Sequence, residues 1–222
     1  VSWPNPQRLV QRMRDYGLDP VLCDGWDNPV YAANAGLTLA RDPKFVILHD
    51  TGTEVPTDRL RDTHSLDWIL SGVKNSSGRT VRACHFYVSR SGKPYVTYAY
   101  PTWHAGRGGP YAGIAENAMN GWSYGIEHES SGLGWDLTDA MVATGTKMVA
   151  AALDVAGLST SAAINHKTWA PNRKVDTKQP DAWWQAKIAV ARLRAGSGSK
   201  PLPVVSLSGV LRNQWKDVRQ VQ

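Results

Sequence analysis

The pentapeptide FVILH, Phe45 to His49, is the most restrictive stretch in the chain. Its apolar residues fall on both alternating faces, so as a strand it must be covered on each side, the situation of a central strand in a layered α/β protein. Its last residue is a histidine. A central strand that ends in a polar side chain commonly delivers that group to a site at the end of the sheet.

The elements around it follow from local signals. Asn5 as an N-cap, Pro6 at the first helical position, apolar Leu9, Val10 and Met13 and a stop at Gly17 predict a short helix. From Leu18 to Pro43 the pattern is irregular and predicts a loop-rich segment packed on the main body. A helix is expected from Thr57 through Leu60 and Trp68 to Gly72. CHFYVSRSGKPYVTYAY then reads as two strands joined at Ser91-Gly92-Lys93, with glycine free to take positive φ. SYGIEHE, Ser123 to Glu129, is a further strand, with Gly125 and Glu127 on one face and Tyr124, Ile126 and His128 on the other. Thr138 caps a helix that ends at Gly157, AAIN is a short strand, and PDAWWQAKIAVARLRAG is an amphipathic helix.

This alternation predicts an α/β fold with a mixed central β-sheet flanked by helices, in a single domain over residues 44–195. Residues 1–43 form a helix and a loop-rich extension on that core. GSGSKPLP, residues 196–203, has the composition of a linker. The 19 residues from 204 to 222 carry a helical pattern without enough mass to fold alone, as expected for the start of a truncated C-terminal region.

Composition narrows the function classes. At 222 residues, 42% hydrophobic and 20% charged, the chain resembles an ordinary globular protein, and no apolar run approaches a membrane span. Cys23 and Cys84 are far apart and in no CxxC arrangement, so neither a disulfide framework nor a cysteine-rich zinc site is expected. The net charge of +6 favours a polyanionic partner. Lys and Arg are scattered and no nucleic-acid reading motif is present, which leaves acidic cell-wall polymers as a fit for the charge.

NHKTWAPNRKVDT, Asn165 to Thr177, gathers His166, Lys174 and Asp176 in a turn-rich segment. A catalytic zinc site needs about three protein ligands and an open position, and imidazole and carboxylate both serve. His49, His166 and Asp176 supply that count. By spacing alone, a strand histidine is more often a hydrogen-bonded structural residue than a metal ligand, and the loop residues could simply be solvated.

VILHDTGT, CHFYVSRSGKPY, WHAG, SYGIEHES and NHKTWAPNRKVDT occur in the order and spacing of the zinc-dependent type 2 N-acetylmuramoyl-L-alanine amidases, the family of phage lysins, bacterial recycling amidases and peptidoglycan recognition proteins. The resemblance covers residues 44–195. It implies that His49, His166 and Asp176 bind Zn2+, that Glu127 is the acidic catalyst opposite the metal, and that Lys174, two residues before the last ligand, stabilises the transition state. His104 and Trp103 of WHAG, together with Trp169, are expected to line the substrate groove. Two positions depart from the family. Cys84 stands where other members have a catalytic tyrosine, which places more weight on Glu127, and Thr177 stands where proline usually follows the last ligand.

The resemblance further implies hydrolysis of the amide between N-acetylmuramic acid and L-alanine in peptidoglycan. A phage endolysin matches most closely: a monomer held in the host cytoplasm before lysis, with no nucleic-acid partner, no membrane insertion and a C-terminal region that binds cell wall. A bacterial autolysin of the same activity and a non-catalytic peptidoglycan-binding module are the alternatives. The binding modules characteristically lose a zinc ligand, and here all three are present.

Overall fold

The computed structural model describes residues 2–53, 61–75 and 77–196. Its centre is a six-stranded mixed sheet in the order β1-β6-β5-β7-β2-β8, with helices against it. The strands are β1 (Val21–Leu22), β2 (Phe45–Asp50), β5 (Phe86–Val88), β6 (Pro94–Val96), β7 (Ser123–His128) and β8 (Ala163–Asn165); β3 (Val73–Lys74) and β4 (Thr80–Val81) form a separate pair. The helices are α1 (Pro6–Asp15), α2 (Val30–Asn34), α3 (Leu66–Ser71), α4 (Asp139–Val155), α5 (His166–Trp169) and α6 (Asp181–Gly196). No helix among the described residues is long and apolar enough to cross a membrane.

β2 lies between β7 and β8 and runs parallel to both. The parity of its residues divides the core in two. Val46 and Leu48, with Tyr124, Ile126 and Ala163 of the neighbouring strands, pack under α1, α4 and α6. Ile47 and Ile164 face the opposite way and pack with Ala105, Ile114, Met119 and Trp169 from the long connection before β7 and from α5. Both faces are therefore covered, as the uninterrupted apolar run of β2 requires.

The caps act as the sequence predicts. Asn5 accepts from the backbone of Gln7 and Arg8 at the start of α1, and the Thr138 hydroxyl accepts from the Met141 backbone at the start of α4. β5 and β6 form the expected antiparallel hairpin, with Gly92 at φ +83° in its turn. The faces of β7 are also as expected. Tyr124 and Ile126 sit in the helix-side core, and His128 stacks on Trp184 of α6, its ring centroid 5.0 Å away.

The structure differs from the expectation in three places. The helix expected from Thr57 begins at Leu66 among the described residues, after a turn at 62–65 that is held by Ser65 bonding to Glu129, and Thr57 to Leu60 lie outside those residues. The loop-rich segment 18–43 also contributes the edge strand β1 and the short α2, both too brief to leave a periodic signal. The linker at 196–203 and the region 204–222 lie, after Gly196, outside the described residues.

A charged knot joins the three helices on the covered face. The Asp154 carboxylate of α4 accepts from Arg12 (2.6 and 2.8 Å) and Tyr16 (2.7 Å) at the end of α1, and from Arg192 of α6 (2.8 Å). Burial works to raise the carboxyl pKa, but the hydrogen bonds from Tyr16, Arg12 and Arg192 outweigh it and hold it below the usual value. Asp154→Ala is expected to cost about 1–3 kcal/mol at neutral pH, as for hydrogen bonds to a charged group. A carboxyl depressed on folding contributes above its unfolded pKa and loses that contribution as pH falls through the folded one. Urea unfolding of the two proteins should therefore show a gap that is constant above about pH 5 and closes toward pH 2.

Candidate metal centre and active site

Parallel sheets place ligands in the crevice beyond the carboxyl ends of their strands. Here the ends of three adjacent parallel strands deliver the polar groups. In register, His49 of β2 lies beside Glu127 of β7, and Leu48 lies beside Asn165 of β8, directly before His166. Asp176 is carried back by the turn that follows α5, where the Lys167 backbone N–H donates to the Asp176 carbonyl at 2.9 Å.

One ligand atom from each of His49, His166 and Asp176 lies within 4.8 Å of the others, and all three residues are buried. His49 Nδ1 is 2.8 Å from His166 Nδ1, while Asp176 Oδ2 is 3.1 Å from His166 Nδ1 and 3.7 Å from His49 Nδ1. Ligands placed tetrahedrally around zinc at about 2.0–2.1 Å are separated by roughly 3.3 Å, which these distances bracket.

The surrounding hydrogen bonds determine the tautomers. His104 Nε2 faces two acceptors at 3.1 Å, the Ser123 carbonyl and the Ser123 hydroxyl, whose own proton goes to the Met119 carbonyl. That nitrogen therefore carries hydrogen, and His104 Nδ1 is left to accept from His49 Nε2 at 3.1 Å. His49 is consequently protonated at Nε2 and bare at Nδ1. His166 Nε2 lies 2.9 Å from the Ala105 carbonyl and 3.3 Å from the Arg173 guanidinium, and in the tautomer that donates through the shorter contact its Nδ1 is bare as well. Two imidazole lone pairs and a carboxylate oxygen thus face one point, an arrangement that is repulsive unless a cation stands there. Metal-binding histidines characteristically have their second nitrogen tied in this way.

The charges agree with this reading. Burial, reinforced by His166 and His104, lowers the His49 pKa well below the ordinary histidine value and keeps the ring neutral, the form that ligates metal. Burial opposes ionisation of Asp176, yet the adjacent His166 ring, 3.1 Å away, and the charge of Lys174 hold its pKa below normal. For Glu127 burial dominates. Together with Asp176 and Asp50 it raises the carboxyl well above its usual range, and Lys174 acts in the other direction. Glu127 Oε2 is buried with no hydrogen-bond partner among the described residues. Asp50, next to His49, is pushed up to about 7 by burial, although the Ser130 hydroxyl donates to it at 2.8 Å. The carboxyl groups of Glu127, Asp176 and Asp50 repel one another, and a dication would relieve that repulsion.

The residues expected in a substrate groove have other positions. His104 is buried behind His49, and its ring lies against Gly125, where a Cβ would fall 2.3 Å from Nδ1. It bonds the His49 ring from behind. Trp169 is 1% exposed and packed beneath the 108–109 backbone, where a Cβ on Gly109 would meet its ring at 2.3 Å. It belongs to the core, as most tryptophans do. Trp103 is half-buried and donates from its indole to the Ala35 carbonyl at 3.1 Å, which ties WHAG to the N-terminal extension. Cys84 is buried, and its thiol bonds to the carbonyls of Phe86 and Gly125.

Two further residues shape the site. Arg173 donates to the carbonyls of Ala105 (2.8 Å) and Arg107 (3.0 Å) and clamps the segment after WHAG onto the loop that carries Lys174 and Asp176. Glu129 is fully buried and accepts from the Ser65 backbone (2.7 Å) and the Tyr87 phenol (2.6 Å), which fixes the chain just beyond β7. Neither had a signal in sequence, because each acts on partners remote along the chain.

Comparisons with known proteins agree with the fold. The sequence profile of the N-acetylmuramoyl-L-alanine amidase family, Amidase_2, matches residues 39–179. A selenomethionyl AmpD derivative superposes with a TM-score of 0.53 at 20% identity, over 78% of this chain and 98% of that one. PlyL gives 0.51 at 14% identity over 78% and 97%, and a mutant endolysin from Bacillus subtilis gives 0.51 at 20% identity over 77% and 99%. At these identities the likeness is one of fold. No curated protein matches the sequence significantly. With a profile match spanning more than half its length, the chain belongs to the N-acetylmuramoyl-L-alanine amidase family and is an amidase.

Proposed function

We propose that this protein is a zinc-dependent N-acetylmuramoyl-L-alanine amidase that cuts the bond between the lactyl group of N-acetylmuramic acid and the first L-alanine of the peptidoglycan stem, in the role of a phage endolysin. The carrying observation is the convergence of two bare imidazole nitrogens and one carboxylate oxygen beside the buried carboxyl of Glu127.

His49 Nδ1, His166 Nδ1 and Asp176 Oδ2 would hold the ion. Two neutral donors and one anion leave the site with net positive charge, and zinc bound there supplies Lewis acidity toward the amide carbonyl and toward water. Glu127 lies beside His49 across the strand pair and accepts the proton of the attacking water. Its raised pKa suits the return of that proton to the leaving amine, and a nearby dication favours the ionised form it needs at the start. The charge of Lys174 is felt by His49, Asp176 and Glu127, which supports a role in stabilising the oxygen that becomes negative in the transition state. The basic chain suits an anionic wall polymer.

Digestion of purified peptidoglycan tests the bond assignment: new amino-terminal alanine with no new reducing ends is expected, and the reverse pattern rejects it. Glu127→Ala and Lys174→Ala should each keep bound zinc and lower turnover by at least ~100-fold, and near-normal turnover in either would remove the role given to it. His104→Phe keeps the ring volume and deletes the acceptor for His49. Calorimetric titration of the metal-free variant should show zinc affinity reduced by about 10–100-fold, whereas wild-type affinity would contradict the positioning role of His104.

A further inference from the structure

The residues on either side of His166 grip the residues on either side of the Asp176–Thr177 junction. Thr177 is fully buried, and its hydroxyl donates to Asn165 Oδ1 at 2.5 Å while accepting from the Trp184 indole at 2.8 Å. Asn165 is itself held, its carboxamide donating to the Gln179 carbonyl at 2.8 Å and its backbone N–H to Asp181 Oδ1 at 2.7 Å. On the other flank, the Lys167 backbone N–H donates to the Asp176 carbonyl at 2.9 Å, and the Lys167 ammonium donates to the Thr177 carbonyl.

We propose that the Thr177 hydroxyl is a positioning group for the metal centre: with Asn165 it closes a clasp that sets Asp176 Oδ2 against the two histidine nitrogens. Asn165 directly precedes one proposed ligand and Thr177 directly follows another, so this hydrogen bond, alongside those from Lys167, holds the two segments in a fixed spacing. A hydroxyl is suited to the place because it donates to the amide oxygen and accepts from the indole at once. Valine has nearly the same shape and can do neither, leaving Asn165 Oδ1 and Trp184 Nε1 buried and unpaired. Partners outside the ligand set that orient a ligand typically change metal affinity by 10–100-fold.

The proposal rests on the metal-centre reading, and the test separates the two. Metal-free wild type, Thr177→Ser, Thr177→Val and Asp176→Ala are titrated with Zn2+ against a chelating dye, and the Co2+ absorption spectra of the first three are recorded. Thr177→Val should bind Zn2+ about 10–100-fold more weakly with an altered Co2+ spectrum, Thr177→Ser should stay within about 3-fold of wild type, and Asp176→Ala should bind more weakly still. Wild-type affinity in folded Thr177→Val, with only its melting temperature lowered, would overturn the clasp and leave the metal centre standing. If Thr177→Val does not fold, Asn165→Ala deletes the other half of the same bond. A 10-fold loss there supports the clasp, and unchanged affinity overturns it. Absence of Zn2+ binding in wild type would overturn the metal centre itself, and the clasp with it.

Discussion

The site depends on the parallel ladder that joins β7, β2 and β8. Parallel pairing fixes register residue by residue, so once Ile47 is seated opposite Gly125 and Ile164, His49 must emerge beside Glu127 and His166 must follow one step beyond Asn165. A slip of one residue would turn His49 toward the helix-side core. The same alternation that buries Val46 and Leu48 under α4 therefore aims His49 at the opposite face, and the packing of the hydrophobic core positions His49 and His166.

Burial then sets the chemistry. Water is largely excluded, which keeps His49 and His104 neutral and pushes the carboxyl groups of Glu127 and Asp50 upward. Hydrogen bonds from the outer nitrogens of His49 and His166 run into a histidine and a backbone carbonyl, so both inner nitrogens present lone pairs. The bare nitrogens of His49 and His166, the ionised Asp176 and the raised carboxyl of Glu127 leave the site short of positive charge, which a divalent ion would supply. Small residues make the arrangement sterically possible. Gly125 leaves room for His104 behind His49, and Gly145 leaves room for His128 on the other side of the sheet.

Much of this was legible in sequence because the informative stretches are contiguous. FVILH and SYGIEHE announce a doubly covered strand and a two-faced strand, and NHKTWAPNRKVDT carries two of the three converging groups. Local patterns do not encode which way a side chain faces once remote segments pack on it. Trp169 and His104 looked available to a substrate, yet the 106–109 backbone closes over the first and β2 stands in front of the second. Arg173 and Glu129 acquire their roles only through contacts with Ala105, Ser65 and Tyr87, far away along the chain. Thr177 stood out only as a departure from a family pattern, and its hydrogen bonds to Asn165 and Trp184 became visible with the fold.

The proposed chemistry requires His49, His166 and Asp176 to hold a metal ion through the inner nitrogens of both imidazoles. Anomalous diffraction at the zinc edge, from crystals of the protein loaded with one equivalent of Zn2+, tests it most directly. One dominant peak is expected about 2.0–2.1 Å from His49 Nδ1, His166 Nδ1 and a carboxylate oxygen of Asp176. Zinc bound elsewhere on the molecule, or through Nε2 of either histidine, would contradict it.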